Sequence, residues 1–401
     1  MSTKPIYAAG LDAGSNRTRC VIATLENERL RFLGYGDIPS QGWSKGRIAD
    51  AQAVTACAHE AVVAAETMAG TAIETVVVGV GGSTVRGANS RGRWDLNRPR
   101  EISGHDVTRA IGRATRKQMA EDRMILQVLP QDFVVDDHPG FHDPRKMVAS
   151  SLEANVHLVT TSILEHTNLV GAVNQAHLAV DETISEAVAA CYACVLPEDR
   201  RDGVVLLDIG QHSSELVCYF GESAQVVASL RICGDHFSRD LAHALRLPIE
   251  EAAVVKEEFG SAVSHGTAEN SVVELFAEDA RGRGPREAPR KLINEILESR
   301  AVELFEMVRT ELAQVGMQRA ITSGIALSGG GALLSGLCDV AERVLDCPAR
   351  IGLAQGFMQW PEQLNHPAWT TAAGLAMYSA RLRTQVDLEK QSVGVLGRIL
   401  R

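Results

Sequence analysis

The first eighty residues alternate between short apolar runs and polar breaks. Apolar runs at 6–11, 18–24 and 30–36 are separated by glycine and polar residues, which predicts a meander of strands. Residues 51–69 are rich in alanine and repeat apolar positions with a helical period, so they predict a helix. The valine run at 75–80 predicts a buried strand. The alternation indicates an α/β protein.

The second half of the chain repeats this plan after an interruption. Residues 84–166 change character and are predicted to form an inserted small unit with an Arg-rich region, a polar helix at 106–121 and strands at 124–129 and 133–135. A second βα series starts near Val180, with a helix that ends before Pro197. The remaining predicted elements are a strand pair at 203–227, helices at 248–260 and 289–315, and a strand entering a glycine turn at 325–332.

Composition narrows the possible functions. The 401 residues carry a formal net charge of −10 and are 45% hydrophobic, which is typical of a globular protein with more than one core. A net acidic chain is unsuited to coating nucleic acid, because phosphate binding needs an excess of Lys and Arg. The N-terminus lacks a signal-peptide pattern and no apolar run has membrane-span length, so we expect a soluble, intracellular bulk.

Two Asp-x-Gly turns carry the candidate chemistry. The stretches GLDAGSNRT (10–18) and LDIGQHSS (207–214) each place a carboxylate at a strand end beside a polar turn. Exposed backbone N–H groups and a carboxylate suit the binding of phosphates and a hydrated magnesium ion. A third stretch, LSGGGAL (327–333), predicts a strand, a glycine turn and a helix start that lets a ligand approach the backbone. Each motif is also common in proteins that bind no nucleotide.

Taken together, in this order, the three motifs resemble the ATPase superfamily of actin, Hsp70 and the sugar kinases. Within it the sequence resembles the FtsA family of bacterial cell-division actin homologues, over about residues 8–380. The stretches that carry this resemblance are GWSKGRIAD (42–50), VGGSTVRGANSRG (80–92), VLPQDFVVD (128–136), GDHFSRDLA (234–242) and AAGLAMY (372–378).

The resemblance implies a two-lobed actin-like (ribonuclease H-like) fold with an inserted FtsA-type small subdomain. It assigns 1–83, 167–202 and 359–383 to the first lobe, 84–166 to the insert, 203–246 and 318–358 to the second-lobe core, and 247–317 to its small subdomain. Residues 384–391 would be a linker, and residues 392–401 an amphipathic membrane-targeting tail.

The resemblance also implies roles for individual residues. A first phosphate loop would be formed by Asp12, Gly14, Ser15, Asn16 and Arg17, and a second by Asp208, Gly210, Gln211, His212 and Ser213. Catalytic roles fall to Glu186, which would orient the attacking water, and Asp208. Asp12 and Asp208 would hold Mg²⁺ through water. The adenosine and ribose would be held by Gly234, Lys256, Gly329, Gly330 and Gly331.

Some of these positions have a second interpretation or depart from the family pattern. Glu186 could equally be a helix N-terminal carboxylate, and Lys256 a surface lysine. Arg17 stands where lysine is common, and Ala253 replaces a frequent glutamate. Gln211 and His212 replace two glycines, which accept positive φ and a close phosphate; we therefore expect ATP binding to survive and hydrolysis to be slow or absent.

Two further clusters have structural explanations beside the metal one. His138, His142 and Asp143 lie close together, but proline and glycine between them predict a turn. Cys191 and Cys194 are spaced like a ligand pair and also like two residues on one side of a helix.

The last ten residues, SVGVLGRILR (392–401), form an amphipathic pattern. On a helix, Val393, Leu396, Ile399 and Leu400 fall on one side, flanked by Arg398 and Arg401. This arrangement suits a lipid surface, and a helix docked on the protein itself is the alternative.

The resemblance implies an ATP-binding adaptor that polymerises and tethers the tubulin-like division protein FtsZ to the inner face of the cytoplasmic membrane at the septum. Its partners would be FtsZ, further copies of itself, membrane lipids and other division proteins, with no nucleic acid. An ATPase enzyme of the same superfamily and a pilus-assembly actin homologue stay open as alternatives.

Overall fold

The computed structural model describes residues 6–27, 29–275 and 286–399, with side chains described as far as 385. The strands in chain order are β1 (Ile6–Ala13), β2 (Arg17–Glu26), β3 (Arg29–Pro39), β4 (Trp43–Ser44), β5 (Arg47–Ile48), β6 (Thr75–Val80), β7 (Arg86–Glu101), β8 (Arg123–Val135), β9 (His138–Phe141), β10 (Val148–Ser162), β11 (Ala179–Ser185), β12 (Val204–Ile209), β13 (Ser214–Phe220), β14 (Ser223–Leu230), β15 (Val272–Leu275), β16 (Arg286–Pro289), β17 (Ile325–Ser328), β18 (Ala349–Ile351) and β19 (Phe357–Met358).

The α-helices are α1 (Ala51–Ala69), α2 (Gly104–Ala114), α3 (Ile163–Gln175), α4 (Glu186–Cys194), α5 (Pro197–Asp202), α6 (Gly234–Leu245), α7 (Ile249–Phe259), α8 (Arg290–Gln314), α9 (Leu337–Leu345) and α10 (Thr370–Ile399). The predicted helix at 51–69 and strand at 75–80 are confirmed. The helix predicted at 106–121 is wrong at both ends, because Ser103 caps α2 in a capping box with Asp106 and the helix stops at Ala114.

The chain folds into two units, each packed mainly within itself. The first falls within Met1–Gly81, Ile163–Val195 and Gly352–Arg401, and the second within Gly82–Ser162 and Leu196–Ile351. The inserted segment therefore groups with the second unit. The finer division predicted from the sequence stays a prediction.

The first unit is built on one sheet, in the order β11-β6-β1-β2-β3-β19. Strands β1, β6 and β11 run parallel, so their carboxyl ends share one edge of the sheet. Small residues let helices lie close to it: a Cβ on Gly36 would overlap the Ala61 carbonyl of α1, and one on Gly10 would lie 2.5 Å from the Leu375 Cβ of α10. The helices can approach the sheet this closely because the side chains between them are small, mostly alanine.

The second unit contains a larger sheet, in the order β18-β17-β12-β13-β14-β7-β10-β8-β9. In the strand ladder, the inserted strands meet the rest of the sheet at one residue pair, Ala228 of β14 opposite Arg86 of β7. Between β12 and the helices α6 to α9 lies the main core, in which Leu207, Leu241 and Phe305 are fully buried. The insert has its own smaller core between its strands and α2. The predicted Arg-rich region is the strand β7.

The last helix changes one prediction. α10 is continuous over Thr370–Ile399, so the linker expected at 384–391 does not interrupt it. The residues at 384–391 include Gln, Glu, Lys and Leu, with no Gly or Pro, and these side chains favour continuing a helix over ending it.

Candidate functional site

The first Asp-x-Gly turn joins β1 to β2 in the first unit. Asp12 stands opposite Arg19 across the hairpin, and the connection runs through residues 14–16. Asp12 is only 8% exposed. A Cβ on Gly14 would lie 2.8 Å from the Arg17 carbonyl oxygen, so the turn needs glycine for space. A carboxylate and a tight polar turn therefore lie together at one end of the hairpin, as predicted.

Ser40, directly after β3, fixes this turn. Its Oγ donates a hydrogen bond to the Gly14 carbonyl at 2.7 Å, and its backbone N–H donates to the Asn16 carbonyl at 2.9 Å. Sequence reasoning missed Ser40, because a serine following Pro39 at a strand end has no distinctive pattern. Its contacts identify it as a positioning residue for the turn.

Arg17 is held by an acidic partner on β3. Its Nε donates to Asp37 Oδ1 at 2.6 Å, and the same guanidinium donates to the Asp37 carbonyl at 3.2 Å. The pair is partly exposed, so it contributes little to stability, but it fixes where the guanidinium points. A phosphate contact by Arg17 stays a prediction.

Glu186 begins α4 immediately after β11 ends. Its side chain lies over Gly79 of β6, where a Cβ would approach the Glu186 Cγ to 2.9 Å. Since β6 lies between β11 and β1, Glu186 and Asp12 belong to the same sheet edge. Gly79 is a second residue that sequence reasoning missed, although glycine inside a valine strand is a signal of close approach.

The second Asp-x-Gly turn joins β12 to β13 in the second unit. The Gly210 N–H donates to the Ser213 carbonyl at 2.9 Å and closes the turn. None of the residues 210–213, all of which the structure describes, has a positive φ. The turn therefore lies in ordinary backbone space, which Gln211 and His212 adopt without strain, and it does not use the positive φ that glycine would permit. The expectation of slow or absent hydrolysis stays a prediction.

The start of α6 holds this second turn from the other side. The N–H groups of Gly234 and Asp235 donate to the carbonyls of Gly210 and Gln211, both at 2.9 Å. A Cβ on Gly234 would lie 3.1 Å from the Gly210 oxygen, which explains a small residue there. Gly234 therefore lies against the second turn, and its contact with the ribose and phosphates stays a prediction.

His212 lies among charged groups of α6. Burial lowers the pKa of its imidazole; Arg239 and His236 act in the same direction, and the Asp235 carboxylate opposes them. Asp235 is itself paired with Arg239 at 2.6 Å. A lowered pKa keeps His212 neutral at pH 7, so it adds no fixed positive charge to the turn.

Lys256 is not an ordinary surface lysine. Its side chain is 17% exposed, and its Nζ donates to Ser238 Oγ at 3.0 Å and to the Gly234 carbonyl at 3.4 Å. Burial lowers the pKa of the ammonium group. α7 therefore delivers Lys256 to the first turn of α6, beside the second Asp-x-Gly turn.

The glycine loop follows β17, which runs parallel to β12 with Ser328 opposite Asp208. Gly329 has φ +80°, and a Cβ there would overlap Asp208 Oδ1 and lie 2.5 Å from the Ile209 carbonyl oxygen. A Cβ on Gly331 would meet the Ile209 side chain, whereas a Cβ on Gly330 would meet nothing within 4 Å. The loop thus lies directly against the Asp208 strand end, and two of its three glycines are required by space.

Each unit therefore assembles part of the predicted constellation. In the first, the Asp12 turn and Glu186 share a sheet edge. In the second, Asp208, Gly210, Gly234, Lys256 and Gly329 lie around one turn.

Two family models match the chain. The model described as cell division protein FtsA matches residues 205–374, and the model described as the SHS2 domain inserted in FtsA matches residues 82–160. The second match covers the inserted strands and α2.

Curated relatives match over almost the whole chain. The cell division protein FtsA of Borreliella burgdorferi is 34% identical over 96% of this chain and 93% of its own length. That of Pseudomonas aeruginosa is 30% identical over 96% and 90%. The chain belongs to the FtsA family. The resemblance predicted from the sequence is confirmed.

Solved structures similar to this FtsA-family chain identify its fold. A PilM-PilN type IV pilus biogenesis complex matches with a TM-score of 0.67 and 18% identity, covering 93% of this chain and 98% of the other. MreB5 of Spiroplasma citri bound to ADP matches with a TM-score of 0.56 and 15% identity, covering 95% and 98%. The predicted two-lobed actin-like fold with an FtsA-type insert is confirmed.

The two clusters with a possible metal interpretation in this FtsA-family chain are the cysteine pair and the histidines near β9. Cys191 and Cys194 are both buried on α4. Within the described ranges, no group of three or more His, Cys, Asp or Glu side chains is placed to hold a metal ion. His138 is the first residue of the short strand β9, and His142 directly follows its last residue.

The residues predicted to bind the membrane lie at the end of the chain. Leu400 and Arg401 lie outside the described residues, as do the side chains of Val393, Leu396, Arg398 and Ile399. Among the helices that the structure describes, none combines the length and apolarity needed to cross a bilayer.

Proposed function

We propose that this FtsA-family chain binds ATP with Mg²⁺, polymerises, and tethers FtsZ to the inner face of the cytoplasmic membrane at the division septum. It acts as an adaptor among FtsZ, further copies of itself, membrane lipids and other division proteins, and is at most a slow ATPase. Family membership carries the proposal, because relatives named as cell division proteins match 96% of the chain.

The nucleotide part of the proposal is supported by residues in both units. Gly14 and Gly329 stand where a Cβ would come too close to the backbone or to a carboxylate, so each lets the chain turn tightly beside Asp12 or Asp208. Lys256 brings a cation with a lowered pKa next to Gly234. The donor set fits a triphosphate: backbone turns for the phosphates, and Gly329 to Gly331 for the adenosine. A solved actin-like neighbour, MreB5, is described as bound to ADP.

Magnesium would be held through water by Asp12 and Asp208. Mg²⁺ keeps much of its hydration shell in nucleotide sites, and few protein carboxylates suffice for it. Bound ATP would supply the phosphates, and Glu186 would orient water at the first unit's sheet edge. Ser40 and Gly79 would position the turn and this carboxylate.

Membrane attachment would use the tail. Val393, Leu396, Ile399 and Leu400 supply the apolar side, and Arg398 and Arg401 the positive charge toward anionic lipid. Ten residues with two glycines bind weakly on their own. Polymerisation places many tails on one surface and raises the effective concentration of the others once one has bound.

A liposome pelleting assay tests the proposal. The full chain is pelleted with phosphatidylglycerol-containing vesicles and Mg²⁺-ATP, with and without FtsZ. We expect FtsZ to pellet only when this chain is present. Deleting residues 392–401 should release both proteins.

Control variants distinguish vesicle binding by residues 392–401 from nonspecific adsorption to vesicles. Leu396→Gln should weaken pelleting, whereas Leu164→Gln, at a side chain 67% exposed on α3, should not. If the variant that lacks residues 392–401 pellets with vesicles as the full chain does, membrane tethering is refuted. Failure to bind Mg²⁺-ATP at millimolar concentration would refute the nucleotide site, and rapid ATP turnover would favour an enzyme.

A further inference from the structure

A polar cavity, open to solvent, lies on the second unit where the inserted strands meet the β13–β14 hairpin. Its volume is about 580 Å³, within the range of small-molecule sites. Its walls are supplied by β7, β8 and β10 of the insert, by His142 just after β9, and by the tip of the hairpin. We call it the seam cavity. None of its residues belongs to the candidate nucleotide site.

A row of three polar residues crosses the floor of the seam cavity. Asn155 of β10 stands opposite Arg91 of β7 and also opposite Asp132 of β8. Directly opposite residues on neighbouring strands project to the same face of a sheet. A guanidinium, a carboxamide and a carboxylate are therefore presented side by side.

A β-bulge adds a fourth polar side chain. The register of β8 shifts between Asp132 and Pro130, which leaves Gln131 as the extra residue. Bulges redirect a side chain, and here Gln131 and Asp132 line the cavity although they are consecutive. The Gln131 Nε2 donates to the Ala224 carbonyl of β14 at 2.9 Å, so its amide is held across the seam.

Protein partners orient these polar groups before any ligand arrives. Asp132 accepts hydrogen bonds from Asn155 Nδ2 at 2.7 Å and from the Gly140 N–H at 3.1 Å. Asn89 Oδ1 lies 2.6 Å from His157 Nδ1, which directs the Asn89 amide nitrogen away from that contact. Groups fixed in this way offer a set pattern of donors and acceptors.

The cavity lining combines hydrogen-bond donors and acceptors with one apolar side chain. Arg91 and the Asn89 amide nitrogen are donors, and the Asp132 carboxylate and Gln225 Oε1 are acceptors. Phe220 at the tip of the hairpin lines the cavity and is 42% exposed, so its ring is accessible to a ligand. A phosphate ligand fits poorly, because the Asp132 carboxylate lies in the same row as the Arg91 guanidinium and would repel an anion.

We propose that the seam cavity binds a polyhydroxylated ligand of the mono- or disaccharide class. Each hydroxyl both donates and accepts, which matches closely spaced amide, carboxylate and guanidinium groups. The C–H face of a sugar ring packs on Phe220. Because the ligand contacts both β7 and the β13–β14 hairpin, its binding also holds the insert against the rest of the unit.

Calorimetric titration of the full chain with maltose, N-acetylglucosamine and myo-inositol tests this assignment. We expect saturable binding of at least one of them with a dissociation constant of about 5 mM or tighter. Arg91→Ala and Phe220→Ser, both at exposed or partly exposed side chains, should weaken it at least tenfold. Two matched controls should leave it unchanged: Arg98→Ala on β7, the strand of Arg91, and Val148→Ser at an exposed apolar position of the insert outside the cavity lining.

Three results would overturn the proposal. The first is the absence of saturable binding by all three probes up to about 50 mM. The second is equal binding by Arg91→Ala, Phe220→Ser and the unaltered chain. The third is sugar binding that Asp208→Asn abolishes and Arg91→Ala retains, since this would place the sugar at the nucleotide site.

Discussion

The side chain of Glu186 occupies the space that a Cβ on Gly79 would need, with 2.9 Å between that Cβ and the Glu186 Cγ. The absent side chain in β6 thus sets the position of a carboxylate on α4. In the proposed function this carboxylate orients water, so the glycine acts on hydrolysis through Glu186.

Gly79→Ala should displace Glu186 without unfolding the first unit, because the contacted atom belongs to a flexible side chain. We expect residual ATP turnover to fall toward that of Glu186→Gln, with ATP affinity within about threefold of the original. Phosphate release under single-turnover conditions measures the effect. Gly171→Ala on α3, whose Cβ would meet no atom within 4 Å, is the matched control. Turnover unchanged in Gly79→Ala would contradict the positioning role.

Gly329→Ala should abolish ATP binding and destabilise the second unit. The residue has φ +80°, and its new Cβ would overlap Asp208 Oδ1 and press on the Ile209 carbonyl. Strain of this kind costs about 1–3 kcal/mol. Thermal unfolding and titration with a fluorescent ATP analogue measure the two effects.

Gly330→Ala provides the matched control for that change. Its Cβ would meet nothing within 4 Å, so the free energy of unfolding should stay within about 0.5 kcal/mol. Equal loss in both variants would show that the loop tolerates no side chain anywhere, and would remove the specific role of Gly329.

Gln211→Gly and His212→Gly should each lower stability rather than relieve strain. Neither residue has a positive φ, so glycine adds only unfolded-state freedom, which costs about 0.5–1 kcal/mol. Urea unfolding measures the loss, and His265→Gly in an exposed loop gives the reference cost. A tenfold rise in ATP hydrolysis in His212→Gly would show instead that the imidazole crowds the nucleotide.

His157 should make the stability of the second unit depend on pH. It is 3% exposed, its Nε2 accepts the Val227 N–H at 3.0 Å, and burial lowers its pKa to about 4 from 6.5. Well above pH 6.5 the imidazole is neutral in both the folded and the unfolded state, and its full contribution to stability is present. As the pH falls from 6.5 toward 4 the unfolded chain takes up the proton first, so stability falls by up to roughly 3 kcal/mol.

Urea unfolding between pH 7 and 4 checks this dependence. His157→Gln cannot titrate and should show a flatter profile in that window, whatever its absolute stability. Parallel profiles for the two proteins would exclude His157 as the source.

Much of the fold follows from local patterns. The valine run at β6, the alanine-rich α1 and both Asp-x-Gly hairpins are visible in the sequence, because strand and helix periodicity and turn chemistry depend on neighbouring residues. The family resemblance followed from short motifs in the same way. The strand β7 was harder to predict, since its apolar positions are few and its pairing partner β10 is about fifty residues later.

Contacts between residues far apart in the sequence determine how the candidate site residues are arranged. Sequence alone placed glycines at 210 and 329 and a lysine at 256, but only the tertiary structure shows that Gly329 lies on Asp208 and that Lys256 reaches Gly234. The same holds for Ser40 on Gly14 and for the backbone of Gln211 and His212. A motif reports which side chains are available, whereas φ angles, close approaches and cross-strand hydrogen bonds arise when segments far apart in the chain pack together.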